Sequence, residues 1–458
     1  MKKRIIALII ALTVFTGSAA AAMLGDIDND GSITVSDALS ALKMAVGTKT
    51  ADPVADVDGD GSVTVTDALQ LLRCSLGFIT EQGLSGDYDF AIPFTQRAKD
   101  AGLTKEMVDR GIVSKGDPAR IVNVMRKAKA GEDITVGFIG GSVTYGGAAT
   151  TEYTRWARVV ENWWKTTFPK SKITYVNAGL SGTPSLFGVH RVEEDLLSKE
   201  PDFVVIEFGV NDELQAWQKE AYASLVRRIL TDDCDPAVML FYVMNNGGTN
   251  AQADQQPIGE FYDLPMVSYR DAIWPEVEKG TFKWEKICAD WVHPTDAGHA
   301  LCGELINSLL QGIYDSLDKL SSEIKPVRAD VPLPYSYEHT EWLRPANTTP
   351  LSLGSFKPMY ADSKYGWGAK GSDSDPLIIR FYGKRLVLPT ISGESDTIVA
   401  SVSVYGKTPV MLDNDTLLIS AGVFAYYMVY DAASPAWHTV EITLLNGTLT
   451  TPGLFVSW

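Results

Sequence analysis

The chain has 458 residues, of which 45% are hydrophobic and 21% charged, a composition typical of about two to four folded domains. Its formal net charge of −17 argues against nucleic acid as a partner, because binding to phosphates needs a basic surface. The four cysteines form no CxxC pair. Their spacing leaves open whether Cys288 and Cys302 form a disulfide or are buried free thiols.

Residues 1–22 predict a secretory signal peptide. Three basic residues at positions 2 to 4 precede an apolar run over residues 5–15, and small residues follow near Ala20 and Ala22. The run is too short to cross a membrane, and no later segment reaches about 18 consecutive apolar residues. We therefore expect a secreted, extracellular protein without a membrane span.

Two acidic repeats follow, beginning at Gly25 and Ala55, and both carry the pattern D-x-D-x-D-G-S-x-T-x-x-D. Calcium takes about six to eight oxygen ligands, and a twelve-residue loop with this spacing can wrap the ion around a glycine turn. The pattern therefore predicts two Ca²⁺ sites. The expected ligands are Asp26, Asp28, Asp30, Ser32 and Asp37 in the first loop, and Asp56, Asp58, Asp60, Ser62 and Asp67 in the second.

Each loop ends in aspartate instead of the glutamate of an EF-hand, and no helix precedes the first loop. With these departures and the 30-residue spacing, residues 24–80 resemble a dockerin module. The resemblance implies docking onto a cohesin module of a scaffold protein, within complexes that degrade plant polysaccharides. The family's recognition positions fall here on Val35, Ser36, Val65 and Thr66, whose identities leave the cohesin type open.

Between residues 94 and 325 short apolar runs alternate with helical stretches. The runs 134–139, 173–178, 203–208 and 238–243 predict buried parallel strands. Strands and helices at this spacing predict an α/β fold of three layers, with helices on both faces of a parallel sheet. Ligands bind such sheets beyond the carboxyl ends of the strands.

Glycine-rich or polar segments with Ser142, Gly179 and Asn211 follow the first three strands, and Asp290 and His293 lie near the end of this region. His293 can take the proton of the Ser142 hydroxyl, and Asp290 can hold the imidazole in the required tautomer. The backbone N–H groups of Ser142 and Gly179 and the Asn211 amide can form an oxyanion hole.

At these residues the chain resembles the SGNH subgroup of the GDSL hydrolases, over residues 134 to about 316. The four residues that name the subgroup fall, in its chain order, on Ser142, Gly179, Asn211 and His293. Asp290 matches the family's aspartate three residues before the histidine. Gly141 replaces the aspartate that precedes the serine in the family's Gly-Asp-Ser pattern, and the effect of this replacement on the site stays open. His299 is a rival base that we expect to pack inside a helix. The resemblance implies a serine ester hydrolase without a catalytic cofactor.

Two features favour an acetylated plant cell-wall polysaccharide as substrate. The dockerin-like segment implies polysaccharide-degrading partners, and aromatic side chains that can stack on sugars crowd the predicted rim. Tyr145, Trp217 and Trp291 are the candidate contacts, with core packing as the alternative role. We predict removal of O-acetyl groups from hemicellulose and leave xylan, mannan and xyloglucan open. The alternatives are an esterase or lipase for other acyl esters and a non-catalytic glycan-binding protein.

A proline-rich stretch before residue 345 predicts a linker or an extended wrap. Residues 345–458 carry alternating apolar positions and turn residues, which predict a small β-sandwich. It resembles the jelly-roll modules that accompany some secreted SGNH esterases. Its role is open between glycan contact through Tyr360, Tyr365 and Trp367 and structural cover of the catalytic domain.

Overall fold

The computed structural model describes residues 23–57, 62–76, 90–212, 215–361, 364–391, 398–413 and 424–458. The chain forms two compact units, Met1–Gly86 and Asp87–Trp458. The predicted signal peptide and two of the predicted calcium ligands, Asp58 and Asp60, lie outside the described residues. Across the described ranges, no helix has both the length and the apolar character needed to cross a membrane.

The first unit packs two helices, α1 (Val35–Ala45) and α2 (Val65–Ser75), around a small core of mainly aliphatic side chains. Thr34 and Thr64 cap the two helices, because each threonine side chain accepts a backbone N–H in the first turn. The aspartate three residues after each cap completes a capping box. The repeated sequence thus folds as a repeated loop and helix.

The second unit contains a six-stranded sheet. Its strands are β1 (Ile112–Ser114), β2 (Ile134–Gly140), β3 (Ile173–Gly179), β4 (Phe203–Glu207), β5 (Ala237–Tyr242) and β6 (Met266–Ser268). The order is β1-β6-β5-β4-β2-β3, and every pair is parallel except β1 with β6 at the edge. The four strands predicted from sequence are β2 to β5.

Helices connect these strands and cover both faces of the sheet. They are α3 (Gln96–Ala101), α4 (Lys105–Gly111), α5 (Ala119–Ala130), α6 (Ser142–Tyr145), α7 (Trp156–Thr167), α8 (Ser185–Asp195), α9 (Ala216–Leu230), α10 (Gln252–Phe261), α11 (Tyr269–Glu278), α12 (Trp284–Ile287) and α13 (Asp296–Asp315). Side chains of β4 alternate between two cores: Phe203 and Val205 enter one, Val204 and Ile206 the other. The predicted α/β fold is confirmed.

The described strands after residue 339 form one antiparallel sheet. They are β7 (Thr340–Leu343), β8 (Lys357–Ala361), β9 (Lys364–Ser372), β10 (Leu377–Ile391), β11 (Ile398–Val404), β12 (Val410–Asp413), β13 (Phe424–Thr451) and β14 (Leu454–Ser457). The order is β12-β11-β13-β10-β14-β7, with β9 pairing to β13 and β8. Alternate side chains of β11 are buried in a third core. We call residues 340–458 the β region. The predicted C-terminal β domain is confirmed as an antiparallel β-sheet region, whereas its arrangement as a jelly-roll-like sandwich stays a prediction.

Two expectations about this part of the chain need correction. The β region begins at Thr340 and not at residue 345, because β7 pairs with β14. Trp367 is fully buried in the third core and offers no surface to a glycan, whereas the Tyr360 and Tyr365 side chains lie outside the description. The proline-rich stretch is a wrap, since Tyr337 is fully buried in the core that the two regions share.

The β region belongs to the same compact unit as the α/β fold. Phe187 on α8 packs against Trp342, Phe424 and Phe455 of the β region, with ring centroids 5.0, 5.4 and 4.7 Å away. A buried aromatic cluster of this size contributes strongly to stability. The β region therefore covers one helical face of the α/β fold.

Candidate active site

Ser142 begins α6, two residues after the end of β2. The single turn of α6 is closed by the Tyr145 N–H, which donates to Gly141 O at 3.0 Å, and by the Gly146 N–H, which donates to Ser142 O at 3.0 Å. A Cβ on Gly140 would overlap with the Thr144 side chain, so glycine is needed there for the turn to sit this close to the strand. The turn holds the Ser142 hydroxyl at the carboxyl end of the sheet.

Three predicted residues meet at this edge. Ser142 Oγ lies 2.8 Å from His293 Nε2, and His293 Nδ1 lies 2.7 Å from Asp290 Oδ2. Asp290 Oδ1 also accepts the backbone N–H groups of Val292 and His293, each at 2.8 Å. Burial acts to raise the pKa of Asp290, but the hydrogen bonds from His293 and Val292 outweigh it and lower the pKa. An ionised Asp290 keeps the proton on Nδ1 and leaves the Nε2 lone pair facing Ser142.

The turn that carries Asp290 and His293 is held by contacts that the sequence did not indicate. Trp284 Nε1 donates to Asp290 O at 2.7 Å, and the Asn246 N–H donates to Trp291 O at 2.8 Å. The turn between α12 and α13 is therefore tied both to α12 and to the loop after β5. Neither partner could have been found from spacing, because both contacts depend on tertiary folding.

One predicted oxyanion donor is wrong. The Gly179 N–H donates to Asn177 Oδ1 at 2.8 Å, so it is not free to bind an oxyanion. The Asn-x-Gly spacing of an Asx turn was the sequence signal for this bond. Further along the same loop Gly182 has a positive φ of 68°, and its N–H has no hydrogen-bond partner within the described part of the chain.

Asn211 lies against Gly141. A Cβ on Gly141 would overlap with Asn211 Oδ1, which is buried and has no hydrogen-bond partner among the described residues. Ser142 is the first residue of α6, and its backbone N–H likewise has no hydrogen-bond partner within the described ranges. The structure thus brings Ser142 and Asn211 to one rim. Glycine at position 141 leaves room there for the asparagine side chain.

In the first unit, three aspartates of the first loop converge. One carboxylate oxygen from each of Asp26, Asp28 and Asp30 lies within 4.8 Å of the others, and Gly31 makes the turn at a φ of 88°. Asp37, at the end of the loop, is fully buried, and its carboxylate accepts the Ile27 N–H at 2.8 Å. Converging carboxylates suit a hard cation such as Ca²⁺.

The second loop repeats the buried final aspartate of the first loop. Asp67 is fully buried, and its carboxylate accepts the Val57 N–H at 2.9 Å and the Thr64 N–H at 2.7 Å. Of the other predicted ligands, Asp56 and Ser62 are described, whereas Asp58 and Asp60 lie in the undescribed segment at residues 58–61. The predicted recognition residues lie on the surface at the starts of the two helices, and they are Val35, Ser36, Val65 and Thr66.

Comparison with known proteins matches both parts of the chain to known families. Residues 138–301 match the GDSL-like lipase/acylhydrolase family, and residues 24–74 match the dockerin type I domain. A two-domain esterase active on acetylated mannans is 32% identical, with a TM-score of 0.68; the match covers 76% of this chain and 98% of that structure. The chain belongs to the GDSL-like lipase/acylhydrolase family. It is a carboxylic ester hydrolase that also carries a calcium-binding dockerin domain, which implies a cohesin partner and an extracellular complex.

Two further matches bear on this GDSL hydrolase. A structure of the mannan-active esterase co-crystallised with mannopentaose is also 32% identical, with a TM-score of 0.68, and covers 76% of this chain and 97% of that one. Thioesterase 1/protease 1/lysophospholipase L1 of Escherichia coli strain K12 is 25% identical over 168 residues, 35% of this chain and 76% of that protein.

His299, the rival base, is buried inside α13, as expected. His299 Nδ1 accepts the Trp156 N–H at 3.3 Å, and Nε2 lies 3.1 Å from Gly147 O. Burial lowers the pKa of His299 to about 4, so the ring is neutral at pH 7 and Nε2 carries the donated hydrogen. A Cβ on Gly147 would lie 2.6 Å from His293 Cδ2. His299 therefore holds a loop that packs directly on the His293 ring.

The predicted rim aromatics differ in exposure. Trp291 is 55% exposed and Tyr145 49%, and the Arg155 guanidinium lies 4.9 Å from the centre of the Tyr145 ring. Trp217 is half-buried against the core and donates from Nε1 to Gln215 Oε1 at 2.8 Å. Of the three, Trp291 and Tyr145 offer the larger surface to a substrate of the hydrolase.

Cys288 and Cys302 are buried free thiols.

Proposed function

We propose that this hydrolase removes O-acetyl groups from hemicellulose, with Ser142, His293 and Asp290 as its catalytic triad. The continuous hydrogen-bonded path from Ser142 through His293 to Asp290 carries the proposal. The 32% identity with an esterase active on acetylated mannans makes acetylated mannan the first polymer to test, before xylan and xyloglucan.

In the first half of the reaction, Ser142 Oγ attacks the acetyl carbonyl carbon while its proton passes to His293 Nε2. The carbonyl electron pair moves to oxygen and forms a tetrahedral oxyanion. Its collapse breaks the bond to the sugar oxygen, which takes the proton from Nε2. Asp290 stabilises the imidazolium in between through Nδ1.

In the second half, a water molecule gives a proton to His293 Nε2 and attacks the acetyl-Ser142 carbonyl carbon. The second oxyanion collapses, the proton returns to Ser142 Oγ, and acetate leaves. The Ser142 N–H and the Asn211 amide are the proposed oxyanion donors, with Gly182 in place of Gly179 as the third. Trp291 and Tyr145 are proposed to contact the sugar rings.

The dockerin domain is proposed to bind two Ca²⁺ ions and to attach the enzyme to a cohesin of a scaffold. Asp26, Asp28 and Asp30 would hold the first ion together with Ser32 and Asp37, and the Asp37 carboxylate also accepts backbone N–H groups of the loop. The proposed ligands of the second ion are Asp56, Asp58, Asp60, Ser62 and Asp67. Bound calcium supplies charge neutralisation and loop rigidity. Val35 and Val65, 53% and 59% exposed, are proposed cohesin contacts together with Ser36 and Thr66.

Acetate release from acetylated mannan, xylan and xyloglucan, measured beside a palmitoyl ester, tests the proposal. We expect the polymers to be deacetylated and Ser142→Ala to lose at least about 1,000-fold in kcat, since the serine hydroxyl forms the covalent intermediate. A Ser142→Ala variant with full activity would overturn the mechanism. Faster cleavage of the palmitoyl ester would favour the second candidate, an esterase for other acyl groups, which the similarity to the Escherichia coli thioesterase/lysophospholipase supports.

A further inference from the structure

Glu207, the last residue of β4, is a fully buried carboxyl group that the proposed mechanism does not use. The Thr144 hydroxyl donates to Glu207 Oε2 at 2.9 Å, and the Gly209 N–H donates to Glu207 Oε1 at 3.1 Å. Thr144 lies on the same helical turn as Ser142, and Gly209 begins the turn that carries Asn211. One carboxyl group therefore links two turns of the candidate site.

Thr144 is also held from the opposite side. Asn177 Nδ2 donates to Thr144 O at 2.8 Å, while Asn177 Oδ1 accepts the Gly179 N–H. The strands β3 and β4 flank β2, so the turn with Ser142 is fastened to both neighbours of the strand that carries it. Thr144 itself is fully buried, with its side chain above Gly140.

The surroundings of Glu207 differ from those of other buried carboxylates in the unit. Glu161 is paired with Arg158 at 2.8 Å and with Lys165 at 2.6 Å. Glu207 forms no ion pair with any described residue, and the titratable groups that face it are Asp212, the Tyr222 hydroxyl and the Cys302 thiol. Burying a carboxyl group without a cation is unfavourable, so stability alone does not account for it.

We propose that Glu207 is a positioning residue for ester hydrolysis. By bonding to Thr144 and Gly209 together, it sets the separation between the Ser142 nucleophile and the Asn211 amide. A displacement of about 1 Å in such an arrangement can cost about 100-fold in rate. The inference rests on the proposed function, since it assigns Glu207 a role in the Ser142 reaction.

Paired substitutions separate positioning from folding. Glu207→Ala and Thr144→Val break the link, and we expect each to lower kcat for 4-nitrophenyl acetate at least 10-fold with KM within 3-fold. Glu207→Gln can accept from Gly209 and donate to Thr144, and Thr144→Ser keeps the hydroxyl, so both should retain at least a third of the kcat. Glu161→Ala removes a buried carboxylate elsewhere and should leave kcat unchanged.

The measurements use the full chain, with thermal unfolding of each variant as a check on folding. If Glu207→Ala does not fold, Thr144→Val tests the same link with a near-isosteric side chain. A wild-type kcat in either folded variant, or a Glu207→Gln variant as slow as Glu207→Ala, would overturn the inference. Ser142→Ala is measured in parallel: wild-type activity there contradicts the proposed function itself, whereas its loss together with an unaffected Glu207→Ala variant contradicts the positioning role alone.

Discussion

At the scale of single residues, Gly141 explains how this site departs from the Gly-Asp-Ser pattern of its family. Any side chain at position 141 would overlap with the Asn211 amide, which occupies that space. Gly141, which replaces the family's aspartate, thus leaves room for Asn211, some 70 positions further along the chain. Glycine provides steric room here, and its φ of −87° lies outside the left-handed region that favours glycine.

Restoring the family's residue should therefore harm the enzyme. We expect Gly141→Asp to lower kcat for 4-nitrophenyl acetate by about 100- to 1,000-fold, which is the usual cost of displacing one oxyanion donor. Gly247→Ala is the matched control, since a Cβ there meets only Asn245 Oδ1 at 3.4 Å. Unchanged kcat in Gly141→Asp would mean that Asn211 is not a donor.

The buried Glu207 predicts a dependence of stability on pH. Burial raises the pKa of Glu207 from 4.5 to about 7, so the folded chain keeps a proton that the unfolded chain loses above pH 4.5. Stability from this group is complete below pH 4.5 and falls as the pH rises to about 7, by roughly 3 kcal/mol in the free energy of unfolding. Urea unfolding at pH 4.5 and at pH 7.5 measures this change in the free energy of unfolding.

Glu207→Gln cannot ionise, so its free energy of unfolding should fall by about 3 kcal/mol less than that of the wild type over the same pH interval. Other groups titrate in both proteins and cancel in this comparison. Equal pH dependence in the two proteins would show that Glu207 does not carry the proton.

At the scale of elements, we expect the two loop–helix repeats of the first unit to depend on a bound cation. Asp26, Asp28 and Asp30 repel one another without one, because their carboxylate oxygens lie within 4.8 Å. Calcium titration by calorimetry should give two ions for the full chain and one for Asp28→Ala. Asp52→Ala removes an acid outside the loops and should keep both. One ion in the wild type would contradict the second site.

Removing calcium with a chelator separates the elements that need the ion from those that do not. Chelation should leave hydrolysis of 4-nitrophenyl acetate unchanged, because Ser142, His293 and Asp290 belong to the other compact unit. A loss of activity on chelation, restored by Ca²⁺, would place a metal requirement in the hydrolase.

At the scale of the whole molecule, the β region and the α/β fold belong to one compact unit. Phe455 of the β region is buried, with its ring centroid 4.7 Å from that of Phe187 and 4.5 Å from that of His190 on α8. Arg228 of α9 adds a 2.6 Å hydrogen bond to Thr340 Oγ1. These contacts favour structural cover as the role of the β region.

We expect Phe455→Ala to lower the free energy of unfolding by about 3–5 kcal/mol, the usual cost of deleting a buried phenyl ring. Loss of ester hydrolysis and loss of tryptophan fluorescence should coincide during urea unfolding. Tyr405→Ala, at an 81% exposed position of the same region, is the control and should change stability by less than about 0.5 kcal/mol. Activity that outlasts the fluorescence transition would show two independent domains.

Much of the fold was accessible from local patterns. The apolar runs at β2 to β5 and the two calcium loops are short segments whose period or spacing is complete within about 12 residues. The meeting of Ser142, His293 and Asp290 was accessible through the family resemblance and through strand ends that share one edge. The start of the β region was misplaced because its first strand pairs with the last, more than 100 residues away.

The sequence by itself determined which side chains could do chemistry and where the strands β2 to β5 and the two acidic loops lie, because periodicity and spacing are properties of neighbouring residues. Only the tertiary structure decided how hydrogen bonds are shared: the Gly179 N–H goes to Asn177, and Glu207 links Thr144 to Gly209. It also decided that Asn211 fills the space over Gly141. A donor can serve only one strong acceptor, and which acceptor it meets depends on how separate strands pack side by side.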